Sequence, residues 1–255
     1  MAEATLSLMT RLEDLRRRLI IAAAAWLVAF GLCYSQAEQI FRWVAGPVRT
    51  ALPQGVKLIF LTATEPFFTY LKVSAIAALI MALPIILWQI WFLAAPTLYA
   101  RHKIFALCFV ALAYLCFLAG SFLGFTYVFP LIFNVLVDMG VNDGGVNAML
   151  SMDAYLGLAL TMLIAFGSVF ELPLVITLLA RFGLVDHHWL RRNRKYMIIV
   201  AFVFGGVITP GPDVISQSSI AIPFIILYEV GIVGARLFGR RRPAEESESA
   251  ALLPS

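Results

Sequence analysis

Leu156-Gly-Leu-Ala-Leu-Thr-Met-Leu-Ile-Ala-Phe-Gly-Ser-Val-Phe-Glu-Leu-Pro-Leu-Val-Ile-Thr-Leu-Leu-Ala180 runs 25 residues with a single charged member, Glu171. Wound as a helix it is longer than the ~30 Å hydrocarbon core of a bilayer. An acid near the middle of such a span costs roughly 2.5–3.5 kcal/mol on insertion scales, so it needs a partner or a purpose. Pro173 removes one helical hydrogen bond and bends the span just past the acid. Two readings stay open for Glu171: a buried structural acid bonded to Ser or Thr of a neighbouring helix, and a functional carboxyl lining a site.

The rest of the chain has the same character. Of 255 residues, 62% are hydrophobic and only 13% charged. A soluble domain of this length needs far more polar surface, so the chain is read as an all-α polytopic membrane protein. Apolar segments at Leu19–Tyr34, Leu71–Ala95, Phe105–Leu136, Tyr155–Ala180, Met197–Ile208 and Ile220–Phe238 give six transmembrane helices, the fifth and sixth short. Short spans require extension by flanking residues or local thinning of the bilayer.

Basic residues set the orientation. Fifteen of the 19 lysines and arginines fall before the first span, between the second and third, between the fourth and fifth, and after the sixth. The opposite side carries Arg42, Arg49, Lys57 and Lys72 alone. The positive-inside rule places both termini in the cytoplasm. The net charge of +4 therefore reflects topology and gives no ground for nucleic-acid binding.

Residues 1–18 form an amphipathic cytoplasmic helix, with Leu8, Leu12, Leu15 and Leu19 at helical spacing. Arg16–Arg18 before an apolar run resembles a secretory signal, but no small-residue cleavage site follows, so the segment stays as an anchor. Residues 1–242 read as one membrane domain and 243–255, rich in Ala, Glu and Ser, as a disordered cytoplasmic tail. The first outer loop holds an amphipathic piece, Ala37–Val48, ended by Pro47. No internal repeat is visible, unlike many secondary transporters.

The chain carries no metalloprotease, nucleophile-elbow, phosphate-loop or Cys-x-x-Cys motif, and an enzyme is not expected. Cys33, Cys108 and Cys116 lie inside spans and make no disulfide framework. His187-His188 reads as a solvated loop, and neither metal nor cofactor is expected. Gly120 and Gly124 have the spacing that lets two helices approach closely, within the chain or against another subunit. Lys72 is placed to snorkel to headgroups, and Glu229 to sit near the cytoplasmic interface. Asp213 or Ser216 should cap the last helix, and the amide of Gln217 at membrane depth wants a partner.

These motifs resemble TatC, the polytopic receptor subunit family of the twin-arginine protein translocase. The resemblance rests on Leu12-Glu-Asp-Leu-Arg-Arg-Arg-Leu19, Glu65-Pro-Phe-Phe-Thr-Tyr-Leu-Lys72, Leu83-Pro-Ile-Ile-Leu-Trp-Gln-Ile-Trp91 and Ala95-Pro-Thr-Leu-Tyr99. It continues through Phe166-Gly-Ser-Val-Phe-Glu-Leu-Pro173, Thr209-Pro with Asp213 and Ser216-Gln217, Ala221-Ile-Pro223 and Tyr228-Glu-Val-Gly231. It implies a concave, glove-like bundle in the prokaryotic inner membrane, driven by the proton-motive force. It implies partners too: twin-arginine signal peptides of folded cargo, single-span TatA- and TatB-type subunits, other copies of the chain, and the bilayer.

By resemblance, the signal peptide meets Glu13, Asp14, Arg16, Leu93, Pro96, Tyr99, His102 and Glu171, and the single-span partners meet Thr209 and Gln217. Pro47, Lys72, Pro84, Pro173 and Asp213 take structural roles. Two guanidinium groups call for carboxylates in bidentate geometry. The family's second acid beyond Pro-x-Leu-Tyr is replaced here by His102, flanked by Arg101 and Lys103. A neutral imidazole accepts one hydrogen bond and supplies no charge-assisted fork. A proton-coupled solute transporter using Glu171 is the competing class, and a membrane enzyme the third.

Overall fold

The computed structural model describes residues 2–46, 58–59, 61–94, 103–141, 150–209 and 213–239. Within them the chain is a helical membrane bundle. The helices are α1 (Ala2–Ser35), α2 (Ala37–Val44), α3 (Glu65–Ala94), α4 (Lys103–Leu123), α5 (Phe129–Val141), α6 (Met152–Phe170), α7 (Leu172–Arg181), α8 (His187–Arg192), α9 (Arg194–Ile208) and α10 (Val214–Phe238). A single parallel bridge pairs β1 (Leu58–Ile59) with β2 (Leu150–Ser151).

Among the described residues, five helices are long and apolar enough to cross a membrane. The expected fifth span lies in α9, whose 15 residues reach roughly 22 Å, short of the ~30 Å core. The last helix corrects the expectation of a short span: α10 has 25 residues. Its extra length comes from the cap, because Asp213 accepts from Ser216 N at 2.7 Å and winds the polar stretch before Ile220 into the helix. At the other end of the chain, the amphipathic leader runs without interruption into the first span as one 34-residue helix.

The expected third span is one rod with a defect. α4 passes through a π-wound turn, Gly124–Val128, into α5. Pro130 follows directly; it has no N–H to donate and its ring crowds the carbonyl four residues back, which a widened turn accommodates.

α1 packs on α3, α4 on α6, α9 on α10, and α10 on α7. The main core joins Val73, Phe129, Ile132, Tyr155, Leu156 and Phe166. A second cluster joins Ile176, Ala180, Leu190, Tyr228 and Ile232. The α4–α6 contact explains the glycine pair. A Cβ on Gly120 would lie 2.6 Å from the Phe166 carbonyl and from Phe170 Cβ, and one on Gly124 would overlap the Phe166 side chain. The small residues therefore serve packing within the chain.

Candidate functional site

Glu171 sits at the joint between α6 and α7. The α-helix ends at Phe170, Glu171 caps it, and α7 restarts with Pro173 in its first turn. The bend expected from Pro173 is thus a break in the helix at the acid itself. Glu171 Oε1 is buried and has no hydrogen-bond partner among the described residues. That disfavours the structural reading, in which a Ser or Thr of a neighbouring helix would hold it.

A largely apolar cavity of about 600 Å³ opens between α2, α3, α4 and α6, lined by Trp43, Ala77, Ile80, Leu118, Ser121, Phe122, Phe125, Thr126 and Leu163. Its floor is fixed where Ser121 Oγ donates to the Leu163 carbonyl at 2.9 Å. Glu171 is not among the lining residues; it lies two turns further along the same helix rod.

In the N-terminal half of α1, Glu13, Asp14 and Arg16 are all exposed. Nearby, the Arg18 guanidinium lies over the ring of Phe92, 4.7 Å from its centroid. This contact sets the turn of α1 that follows the acidic motif against the last turn of α3. The backbone of Leu93 belongs to that turn. Its side chain, together with Pro96, Tyr99 and His102, lies outside the described residues, as does Pro47. Pro84 falls inside α3.

Thr209 and Gln217 share one neighbour, Gly205. Thr209 is 5% exposed, and its hydroxyl donates to the Gly205 carbonyl at 2.9 Å. A Cβ on Gly205 would lie 2.8 Å from the Gln217 carbonyl, so the two helices are close-packed there. The Gln217 amide donates to Phe202 O at 2.7 Å. The partner that this amide requires is therefore found inside the chain for one of its donors. For Asp213, burial raises the carboxyl pKa, but hydrogen bonding from Ser216 outweighs it and holds the group below the ordinary aspartate range.

Lys72 does not simply reach for headgroups. Its Nζ bonds both carboxylate oxygens of Asp153, at 2.7 and 2.9 Å. Beside it stands a residue that sequence reasoning had used only as part of a motif. Glu65, 7% exposed, accepts from Ser151 Oγ (2.6 Å), Asp153 N (2.8 Å) and Leu61 N (2.6 Å). With the β1–β2 bridge it clasps the start of α3 to the start of α6. The one signal available was an acid at a helix N-terminus, which fits any cap. Glu229 pairs with Arg194 at 2.6 Å, which accounts for its acid. Among the described residues no group of three or more His, Cys, Asp or Glu is placed to hold a metal ion.

Comparison with known proteins converges on one family. The family model for the Sec-independent protein translocase protein (TatC) matches residues 10–223. The TatC of Desulforapulum autotrophicum is 43% identical over 239 residues, covering 94% of this chain and 87% of the relative. That of Escherichia coli strain K12 is 35% identical over 245 residues, covering 96% and 94%. The crystal structure of a twin-arginine translocase receptor, TatC, superposes with a TM-score of 0.80 at 35% identity, over 90% of this chain and all of the other.

Proposed function

The chain belongs to the TatC family of Sec-independent protein translocase subunits, and from this we propose that it is the receptor that binds the arginine pair of cargo signal peptides. As a multi-span subunit of the Tat translocase, in prokaryotes it is a protein of the inner membrane. We place both termini in the cytoplasm, because the great majority of its basic residues fall on the side that holds them. On this reading residues 1–242 form one membrane domain and 243–255 a cytoplasmic tail.

The observation that carries the reading is the exposed Glu13–Asp14 pair on a rigid helix, set against the end of α3 by the Arg18–Phe92 contact. Two carboxylates on a preformed helix present acceptors to guanidinium forks without a backbone-ordering penalty on the receptor side. The family resemblance assigns Arg16, Leu93, Pro96, Tyr99 and His102 to the same recognition role. The hydrophobic part of the signal peptide then lies along a concave wall that includes Glu171. Single-span TatA- and TatB-type subunits dock along α9 and α10 near Thr209 and Gln217, and several copies of the chain assemble for proton-motive-force-driven export.

The test is a titration of a labelled twin-arginine peptide against the full chain in lipid nanodiscs. Glu13→Gln with Asp14→Asn should weaken binding by about tenfold or more, from the loss of two charge-assisted contacts. Unchanged affinity would refute this assignment.

A further inference from the structure

A second cavity lies beside the basic segment between α7 and α9, starting at Leu172 next to Glu171. It measures about 490 Å³ and is walled by α7, α8, α9 and α10, with Leu172, Ile176, Leu179, Leu190 and Met197 making its apolar interior. Its inner wall is fixed, because Tyr228 OH donates to Leu190 O at 2.9 Å. Trp189 and Tyr196 flank it, 59% and 56% exposed. Exposed Trp and Tyr at the end of a span mark the headgroup level of a membrane.

Cations adjoin the residues that line this slot. Asn193 lines it directly, between Arg192 and Arg194. Arg194 is neutralised by Glu229. Lys195 Nζ sits 5.1 Å from the centroid of the Tyr196 ring, on a residue of the cavity wall. Arg192 is exposed and forms no ion pair with a described carboxylate. An apolar slot at headgroup level, with Arg192 and Lys195 on the residues next to its lining Asn193 and Tyr196, fits an acyl chain joined to a phosphate.

We propose that the slot between α7, α8, α9 and α10 seats one anionic phospholipid, with an acyl chain among Ile176, Leu179 and Met197 and the phosphate at Arg192 and Lys195. The lipid covers apolar surface beside the short helix α9, where a thinned bilayer leaves it poorly shielded. Charge complementarity selects the anionic headgroup; the slot alone would accept a neutral one.

Native mass spectrometry of the full-length chain tests this. The purified protein is exchanged into phosphatidylglycerol or phosphatidylcholine of identical acyl chains. One phosphatidylglycerol should be retained at several-fold higher occupancy. Arg192→Gln with Lys195→Gln should abolish that preference, a several-fold drop in phosphatidylglycerol retention. Leu179→Trp, which fills the slot, should lower retention of both lipids. Melting curves establish that each variant is folded, and the rim pair tests the proposal even if Leu179→Trp fails to fold. Equal retention of the two lipids, or a preference that survives the rim substitutions, overturns the proposal. So does a single-span subunit that crosslinks from position 189 while no lipid is retained.

Discussion

Glu171 was legible as a special residue because an apolar run makes any acid conspicuous, and the structure adds that its Oε1 has no partner among the described residues where the helix breaks. A structural acid is held by neighbours, and its loss is damaging. A groove acid is held for a ligand. Glu171→Leu should therefore leave melting of the purified chain within about 1 kcal/mol of the parent, or raise it. The same change should weaken crosslinking of the signal peptide's hydrophobic segment. A loss of several kcal/mol would restore the structural role. His102 poses the opposite problem, since the resemblance implies a carboxylate where this chain has a histidine. His102→Glu should tighten twin-arginine peptide binding several-fold, the gain of up to about 1 kcal/mol expected of an exposed ion pair. Isothermal titration would show it, and weaker binding would mean that this loop acts differently here.

Helices were more legible than the contacts between them. Each span must satisfy its own backbone hydrogen bonds in lipid, so hydropathy alone marks the spans. The π-wound turn at Gly124–Val128 and the extra turns of α10 escaped because they depend on local geometry that hydropathy averages away. The Gly120–Gly124 spacing announced a close approach, while its partner, α6, emerged only in three dimensions. Gly120→Leu forces its side chain into the Phe166 backbone and should destabilise by about 1–3 kcal/mol, read as a lowered melting temperature. Asp213→Ala removes the α10 cap and should cost about 1 kcal/mol by the same measurement.

Across the whole molecule, the clasp between α3 and α6 is the feature that sequence reading could not assemble. Lys72 and Asp153 are 81 residues apart, and Glu65 and Asp153 are 88. No periodicity links such positions. The two contacts should differ in weight. Lys72–Asp153 is solvated, with side chains 49% and 39% exposed, so Lys72→Ala should cost only about 0.2–1 kcal/mol. Glu65 is buried, and Glu65→Ala strands several donors at once, for about 1–3 kcal/mol. The clasp fixes α3 against α6 at one end; the surface proposed for the arginine pair lies at the other, where Arg18 of α1 meets Phe92 of α3. A photo-crosslinker at position 14 of the full chain, presented with a twin-arginine signal peptide and a twin-lysine control, reads that surface directly. Strong crosslinking of the arginine peptide and little of the lysine peptide is the expected result; equal crosslinking of the two would contradict it.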